Sequence, residues 1–497
     1  MSYQERGGEF IEGSGKGGIH PCCLFLEILS FTFLVDYETI ETNFFKNTKK
    51  RGSSYKMEGI SALLISYLRE FITKQEVIEK YRTSPKHFTR KRKLPFWRVS
   101  VLILQGWTHS IQNRMNKFFK SLGSLEELPT ATAFCKAREK IKPELLKAMN
   151  EETVNFFYNK YEQRGLVERW KGFLVWATDC SSMNLPDTEE TREKYSVQTN
   201  QYDEEGCVQA LASLLYDVTN EVVVNSEMEK KQSEKSFIFD YHTNYHRQDV
   251  LHLHDRGYAD YSVIAVYSKD GKQFIIRFPL SNTFKEVEDF VKSNDTDKIV
   301  TLKVTSKQKK FVEDNQLPKQ VQVRLVKIDL GNGEVEVLMT SLLDQNIYKV
   351  EDFKWVYNKR WGVETHLGRL KNRLEIEKFS SEKIAGIEQD FYGIIFLSTL
   401  ESVLSKEDEK QIEEETKERD RIFDYKVNKS ISYSALLDYT VDLFLNVKKS
   451  PSEILDELRI MFKTGLTPVR PGRKYERKKT TPTQKLRFFK YRKRSCA

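Results

Sequence analysis

The apolar residues of this chain change their period twice, and that constrains the fold more than any other feature. Up to about residue 168 they recur at helical spacing, as in ISALLISYLREFI (60–72). The next stretch, FTRKRKLPFWRVSVLILQGW (88–107), opens on the basic cluster Arg90 to Lys93. LPTATAFCKAREKIKPELLKAMNEETVNFFY (128–158) reads as two helices split near Pro143, the first capped by Thr130 or Thr132. From 172 the runs become short and strand-like: GFLVWATD, CVQALASLLYDV, EVVVNSEM, DVLHLHDRGY and KQFIIRF, with Thr219-Asn220 as a turn. KIVTLKV, QVQVRLVKIDL and EVEVLMTSLL follow, the last two joined as a hairpin by Gly331-Asn332-Gly333. From 352 the period is helical again, through QDFYGIIFLSTLESVL, a charge-dense stretch at 405–421 and two amphipathic helices. Strands with interposed helices predict an α/β layer between helical regions.

With 497 residues, the chain exceeds one ordinary core. The pattern divides it into an atypical extension (1–56, with Met57 as an alternative start), a helical domain (57–168), a first core segment (169–278), a β-rich insertion (279–350), a second core segment (351–400) and a helical C-terminal region (401–497). Hydrophobic residues at 39% exclude a disordered chain. The net charge of +9 is unevenly placed. Residues 470–497 hold twelve Lys/Arg against Glu476, a charge of +11, which leaves −2 for the rest. Such a tail suits phosphate binding, with a merely solubilising role as the alternative. CCLFLEILSFTFLV (22–35) is too short to span a bilayer, so no membrane role is expected. Six cysteines show no metal spacing and fit a reducing cytoplasm. His242, His246, His252 and His254 match no standard zinc pattern, and packing roles are expected of them.

The chemistry points to carboxylates. Asp179 and Asp255 each close an apolar run and begin a turn, and ligand sites of open α/β sheets lie beyond such strand ends. Either aspartate alone reads as a local turn cap. A third carboxylate sits in YNKRWGVETHLGRLK (357–371). On one continuous helix Tyr357, Arg360, Glu364 and Lys371 fall within an arc of about 60°. Taken alone, Arg360 and Glu364 are a modest i,i+4 ion pair. Together with two strand-end aspartates, Glu364 completes a set able to hold two divalent ions for phosphodiester cleavage. Oxygen-only ligands favour Mg²⁺ or Mn²⁺.

Tyr-x2-Arg-x3-Glu-x6-Lys resembles the signature of the bacterial insertion-sequence transposases of family four, matched here at Tyr357, Arg360, Glu364 and Lys371, with Trp361 after the arginine. HDRGY resembles that family's second-aspartate motif. VWATDCSSMNLP resembles the first, with Cys180 where a glycine often stands. TAFCKAREKI and PVRPGRKYERKK resemble flanking segments, so the likeness spans roughly 80–497. It implies a ribonuclease H-like core with an Asp179-Asp255-Glu364 triad, two Mg²⁺ or Mn²⁺, and strand cleavage followed by strand transfer through a hairpin intermediate. It also implies double-stranded DNA partners (terminal inverted repeats and target), a homodimer, and a nucleoid-associated bacterial protein of the cytoplasm.

By the same resemblance Tyr357, Arg360 and Lys371 grip phosphates. Trp361 is expected in the core, with DNA contact as the alternative, and Arg277 is a candidate to reach the site. Phe284, Phe290, Phe311 and Trp355 are candidate platforms for a displaced base. The rival readings are an inactive DNA-binding derivative, a ribonuclease H-like nuclease without integration, and a structural nucleic-acid binder using only the tail.

Overall fold

Thr130 caps a helix as its sequence predicts, accepting the Ala133 N–H at 3.2 Å. It opens the fifth of the helices α1 (Ile60–Phe71), α2 (Gln75–Tyr81), α3 (Phe96–Leu104), α4 (Ile111–Ser121), α5 (Ala131–Arg138) and α6 (Glu144–Phe156). Pro143 stands just ahead of α6, where a missing N–H costs nothing. The computed structural model describes residues 59–470, apart from 106–109, 201–202, 243–244, 246, 332–333, 419–421 and 447. The extension 1–56, His246, the hairpin residues Asn332-Gly333 and the basic tail after Arg470 therefore lie outside the described residues.

Nine strands form one mixed sheet: β1 (Leu174–Asn184), β2 (Ser196–Asn200), β3 (Asp203–Asp217), β4 (Val222–Lys230), β5 (Val250–His254), β6 (Gln273–Phe278), β7 (Asp297–Lys303), β8 (Gln320–Asp329) and β9 (Val335–Thr340). Its order is β2-β3-β1-β5-β6-β9-β8-β7, with β4 also on β3. Gln209 of β3 pairs Asn184 of β1 on one side and Ser196 of β2 on the other, so β2 lies on the edge of β3 away from β1. β3 runs antiparallel to β1 and to β4, whereas β5 and β6 continue parallel to β1. The strands of 279–350 join this sheet beyond β6 rather than forming a layer of their own. The Thr219-Asn220 turn forms as expected: the Asp217 carboxylate accepts the Thr219 and Asn220 N–H groups at 3.1 and 2.9 Å.

The connecting helices are α7 (Glu189–Lys194), α8 (Glu234–Asp240), α9 (Tyr261–Lys269), α10 (Lys285–Lys292), α11 (Lys309–Asp314), α12 (Val350–Asn358), α13 (Trp361–Asn372), α14 (Ile384–Glu418), α15 (Lys429–Leu445) and α16 (Pro451–Phe462). Strand alternation sends Val175, Ala177, Leu251, Leu253 and Ile275 to one face, under Val356, Val363, Leu370 and Phe391 of α12–α14. The other face packs Phe274 and Ile276 under Val263, Tyr267 and Phe290 of α9 and α10. The expected boundary at 400 falls inside α14, a single helix of 35 residues. Its charge-dense end is half-embedded, burying Ile412 and Thr416. Arg138 is buried and ties α5 to the segment around α14, donating to Gln389 (2.6 Å), Ser380 (2.7 Å) and Asp390 (2.9 Å).

Candidate active site

The register of the two parallel strands brings the aspartates together. Trp176 pairs His252 and Ala177 pairs Leu253, so two further residues on Asp179 stands opposite Asp255. Both share the parity of Ala177 and Leu253, which face α12–α14. The expectation that Asp179 ends its strand is corrected. β1 continues to Asn184 because β3 keeps pairing with it, Asp179 against Leu214. What ends near Asp179 is the partnership with β5, which turns away at Asp255. There the Asp255 carboxylate accepts the Gly257 N–H at 2.8 Å, and a Cβ on Gly257 would come within 3.0 Å of that same oxygen.

The expected continuous signature helix is also corrected. α12 ends at Asn358 and α13 begins at Trp361, with i→i−3 bonds from Arg360 to Tyr357 (3.0 Å) and from Val363 to Arg360 (3.2 Å) tightening the junction. The φ and ψ angles of Lys359 and Arg360 remain helical, so the four signature residues stay on one side. Tyr357 is buried and its hydroxyl donates to the His254 carbonyl at 3.2 Å, joining the helix to the backbone just before Asp255. The side chain of Arg360 is only 5% exposed and donates to Glu364 at 2.7 Å. Its guanidinium lies over the Tyr357 and Trp361 rings, 5.8 and 5.3 Å from their centroids. Trp361 is 44% exposed, which overturns the core placement: the buried side of α13 is taken by Val363, His366, Leu367 and Leu370. Gly362 meets Val218 so closely that a Cβ there would lie 3.3 Å from the Val218 Cβ. Arg277 is paired with Glu336 at 2.6 Å, and its charge is felt by the Tyr357 hydroxyl.

Lys371 reaches β1. From Glu364 to Lys371 the helix rises roughly 10 Å, and from Asp179 to Ser182 the strand advances about as far. With Glu364 beside Asp179, Lys371 therefore arrives beside Ser182, and its ammonium donates to the Ser182 carbonyl at 2.6 Å. Sequence reasoning missed this role, and it missed Glu377 and Asn184, which meet beside it. The Glu-x6-Lys spacing carried the signal, but only once the helix is known to run along β1.

Burial raises the Asp179 carboxyl to about 7, and the like charges of Glu364 and Asp255 add to the rise, against a hydrogen bond from the Cys180 N–H and the Arg360 cation. The three carboxylates are thus within electrostatic reach of one another. Among the described residues, however, no three His, Cys, Asp or Glu side chains converge closely enough to hold a metal ion. One oxygen of Glu364 is turned to Arg360 and one of Asp255 to Gly257. The donor set suits a hard divalent cation, whose charge would relieve the strain on the Asp179 carboxylate.

His252 and His254 form a packed stack on the opposite face. His252 and His254 lie parallel with centroids 6.3 Å apart, and His254 is hydrogen-bonded to the Tyr267 hydroxyl at 2.8 Å. Burial lowers His254 and His242 to about 3, so both rings are neutral.

Residues 187–400 match the family model described as the transposase DDE domain. This match supports a DDE transposase domain over those residues, which are fewer than half of the chain. It includes Asp255 and Glu364 and begins eight residues after Asp179. A solved structure, the piggyBac transposase synaptic complex with hairpin DNA, is similar at 9% identity and a TM-score of 0.40, over 83% of this chain and 86% of that one. That likeness is too weak to carry an argument. No curated protein matches the chain.

Proposed function

We propose that the protein is a DNA transposase that binds the terminal inverted repeats of a mobile element and cuts and joins strands with Asp179, Asp255 and Glu364. The observation that carries this reading is the juxtaposition of the three carboxylates by the β1–β5 register and by α13 on the same face. β4-β3-β1-β5-β6, antiparallel on one side and parallel on the other, is the arrangement of a ribonuclease H-like core in this reading. Asp179, Asp255 and Glu364 are the residues that would hold two Mg²⁺ or Mn²⁺ ions, which would supply Lewis acidity toward a phosphodiester. Asp179 must give up its proton first. Arg360, almost wholly buried, balances the carboxylates and keeps Glu364 aimed across the site. The cleaved end carries a 3′-hydroxyl, which attacks a phosphodiester of the opposite strand and closes a hairpin as the flanking DNA leaves with its own 3′-hydroxyl; water then reopens the hairpin, and the regenerated 3′-hydroxyl attacks a target phosphodiester, expelling a target 3′-hydroxyl.

The exposed side of α12 suits nucleic acid. Trp355 is 52% exposed with the Lys359 ammonium 4.7 Å from its ring centroid, whereas Phe290 is buried and Phe284 and Phe311 pack against the core. Of the four candidate aromatics, Trp355 is therefore the best placed to stack on an unpaired base. A homodimer holds the two ends together, acting in the bacterial cytoplasm at the nucleoid.

The test is a duplex carrying the repeats that flank the gene, with purified protein and Mg²⁺. Cleavage at the repeat boundary is expected, lost by at least about a hundredfold in Glu364→Ala while DNA affinity stays within about twofold. Cleavage that survives this substitution sinks the assignment.

A further inference from the structure

We propose that Glu377, outside the signature, is a positioning residue of this reaction. It draws the far half of β1 and the end of α13 together and so sets how Asp179 and Glu364 face each other. The inference rests on the reading of the site given above. Glu377 Oε1 accepts the Asn184 backbone N–H at 2.9 Å and its side-chain amide at 3.2 Å, and lies 3.8 Å from the Lys371 ammonium. Lys371 in turn donates to the Ser182 carbonyl, two residues earlier on β1. One lysine and one glutamate from the α13 end of the chain thus grip the same strand at 182 and 184.

The grip is anchored on both sides. Asn184 Oδ1 accepts from Gln209 of β3 at 2.9 Å, which fixes the amide that faces Glu377. Glu377 itself stands between the buried side chains of Ile376 and Phe379. Next to it, Ser380 is held by Asp390 and by the buried Arg138 guanidinium. Asp179 lies five residues before Asn184 on a continuous strand, and Glu364 seven before Lys371 on a continuous helix. Both elements are stiff, so a tie at their far ends fixes the separation of the two carboxylates at their near ends. Outer residues that orient metal-binding carboxylates typically change affinity or activity 10–100-fold when removed.

The experiment uses the full chain and two probes. Mn²⁺ alone is titrated by the resonance signal of the free ion, and nicking is followed on a supercoiled plasmid carrying the DNA that flanks the gene. Glu377→Ala is expected to lower kcat about thirtyfold and weaken Mn²⁺ about tenfold, with KM for plasmid within about twofold. Glu377→Gln keeps an acceptor oxygen for Asn184 and is expected within about threefold of the parent in kcat. Equal rates in the parent and Glu377→Ala, or Glu377→Gln as slow as Glu377→Ala, overturn the proposal.

If Glu377→Ala is recovered unfolded, Asn184→Asp decides. It sets a second carboxylate against Glu377 and is expected to slow nicking about tenfold. Adding Glu377→Gln, which restores a donor, returns the rate to within about threefold. An unslowed Asn184→Asp, or a double variant no faster than it, overturns the role of Glu377. A parent chain that neither binds Mn²⁺ nor nicks overturns the reading of the site itself.

Discussion

Glu364 is one carboxylate among cations, and its neighbours decide what it does. Arg360 takes one of its oxygens at 2.7 Å and is itself nearly closed off from solvent. Asp179 forms no ion pair of that kind among the described residues: burial leads, and Glu364 and Asp255 add to it, in raising it to about 7. A carboxyl raised in the folded state binds its proton more tightly there than in the unfolded chain. Its stabilising contribution is therefore full below about pH 4 and is lost as pH rises toward 7. Asp179→Asn should consequently melt higher than the parent in metal-free buffer, by a margin that grows between about pH 4 and 7 and levels off above. The slope is at most about 1.4 kcal/mol per pH unit, less for a partly exposed group. Melting curves at pH 4, 6 and 8 with chelator check this, and a margin independent of pH would contradict it. Mn²⁺ affinity in the parent should fall as pH drops below 7, since the proton and the ion compete for the same oxygens.

At the level of elements, α13 is the part on which the site depends. Its buried side inserts Val363, Leu367 and Leu370 into the core over the sheet. His366 stacks on Tyr216 of β3 with centroids 4.4 Å apart. Arg369 donates to Glu221 at 3.0 Å, and Glu221 is also 3.6 Å from Lys429 of α15. The helix is thereby held to β3 and to the C-terminal helices as well as to β1. Leu370 is fully buried, so Leu370→Ala should cost about 2–5 kcal/mol by removing methyl groups and leaving a cavity. Urea unfolding measures this. A cost under about 1 kcal/mol would mean that the helix is not packed as described.

On the scale of the whole molecule, Asp179 and Asp255 share the sheet face that α13 covers, and the helical regions pack around that sheet. Arg138 joins α5 to the segment that follows α13. The helices before the sheet are thus locked to the site rather than strung from it. The described part ends at Arg470, and eleven of the tail's twelve Lys/Arg lie beyond it. Their role is testable in solution. The logarithm of DNA affinity should fall with the logarithm of salt concentration, and removing 471–497 should flatten that slope by roughly 0.9 for each phosphate the tail neutralises. An unchanged slope would leave the tail no part in binding DNA.

No helix among the described residues is long and apolar enough to cross a membrane. The short CCLFLEILSFTFLV run lies outside those residues.

The sequence by itself determined the change from helices to strands and back, because the switch between periods of 3.6 and 2 is a local property of side-chain direction. It also singled out the three carboxylates and the residues around Glu364 as candidates, since residue type and spacing are written along the chain. It left the length of β1 wrong, because Asp179 looks like a strand end until β3 is seen to pair past it. It placed Trp361 in the core, because a helical wheel gives angles but not which arc meets the sheet. Only the tertiary structure decided that Asp179 and Asp255 stand opposite each other, which is a matter of parallel register between strands over seventy residues apart. Only it decided that α13 runs along β1, so that Lys371 meets Ser182 and Glu377 meets Asn184. Those meetings depend on how a helix docks on a sheet, and docking is set by the shape of the core formed by the whole chain.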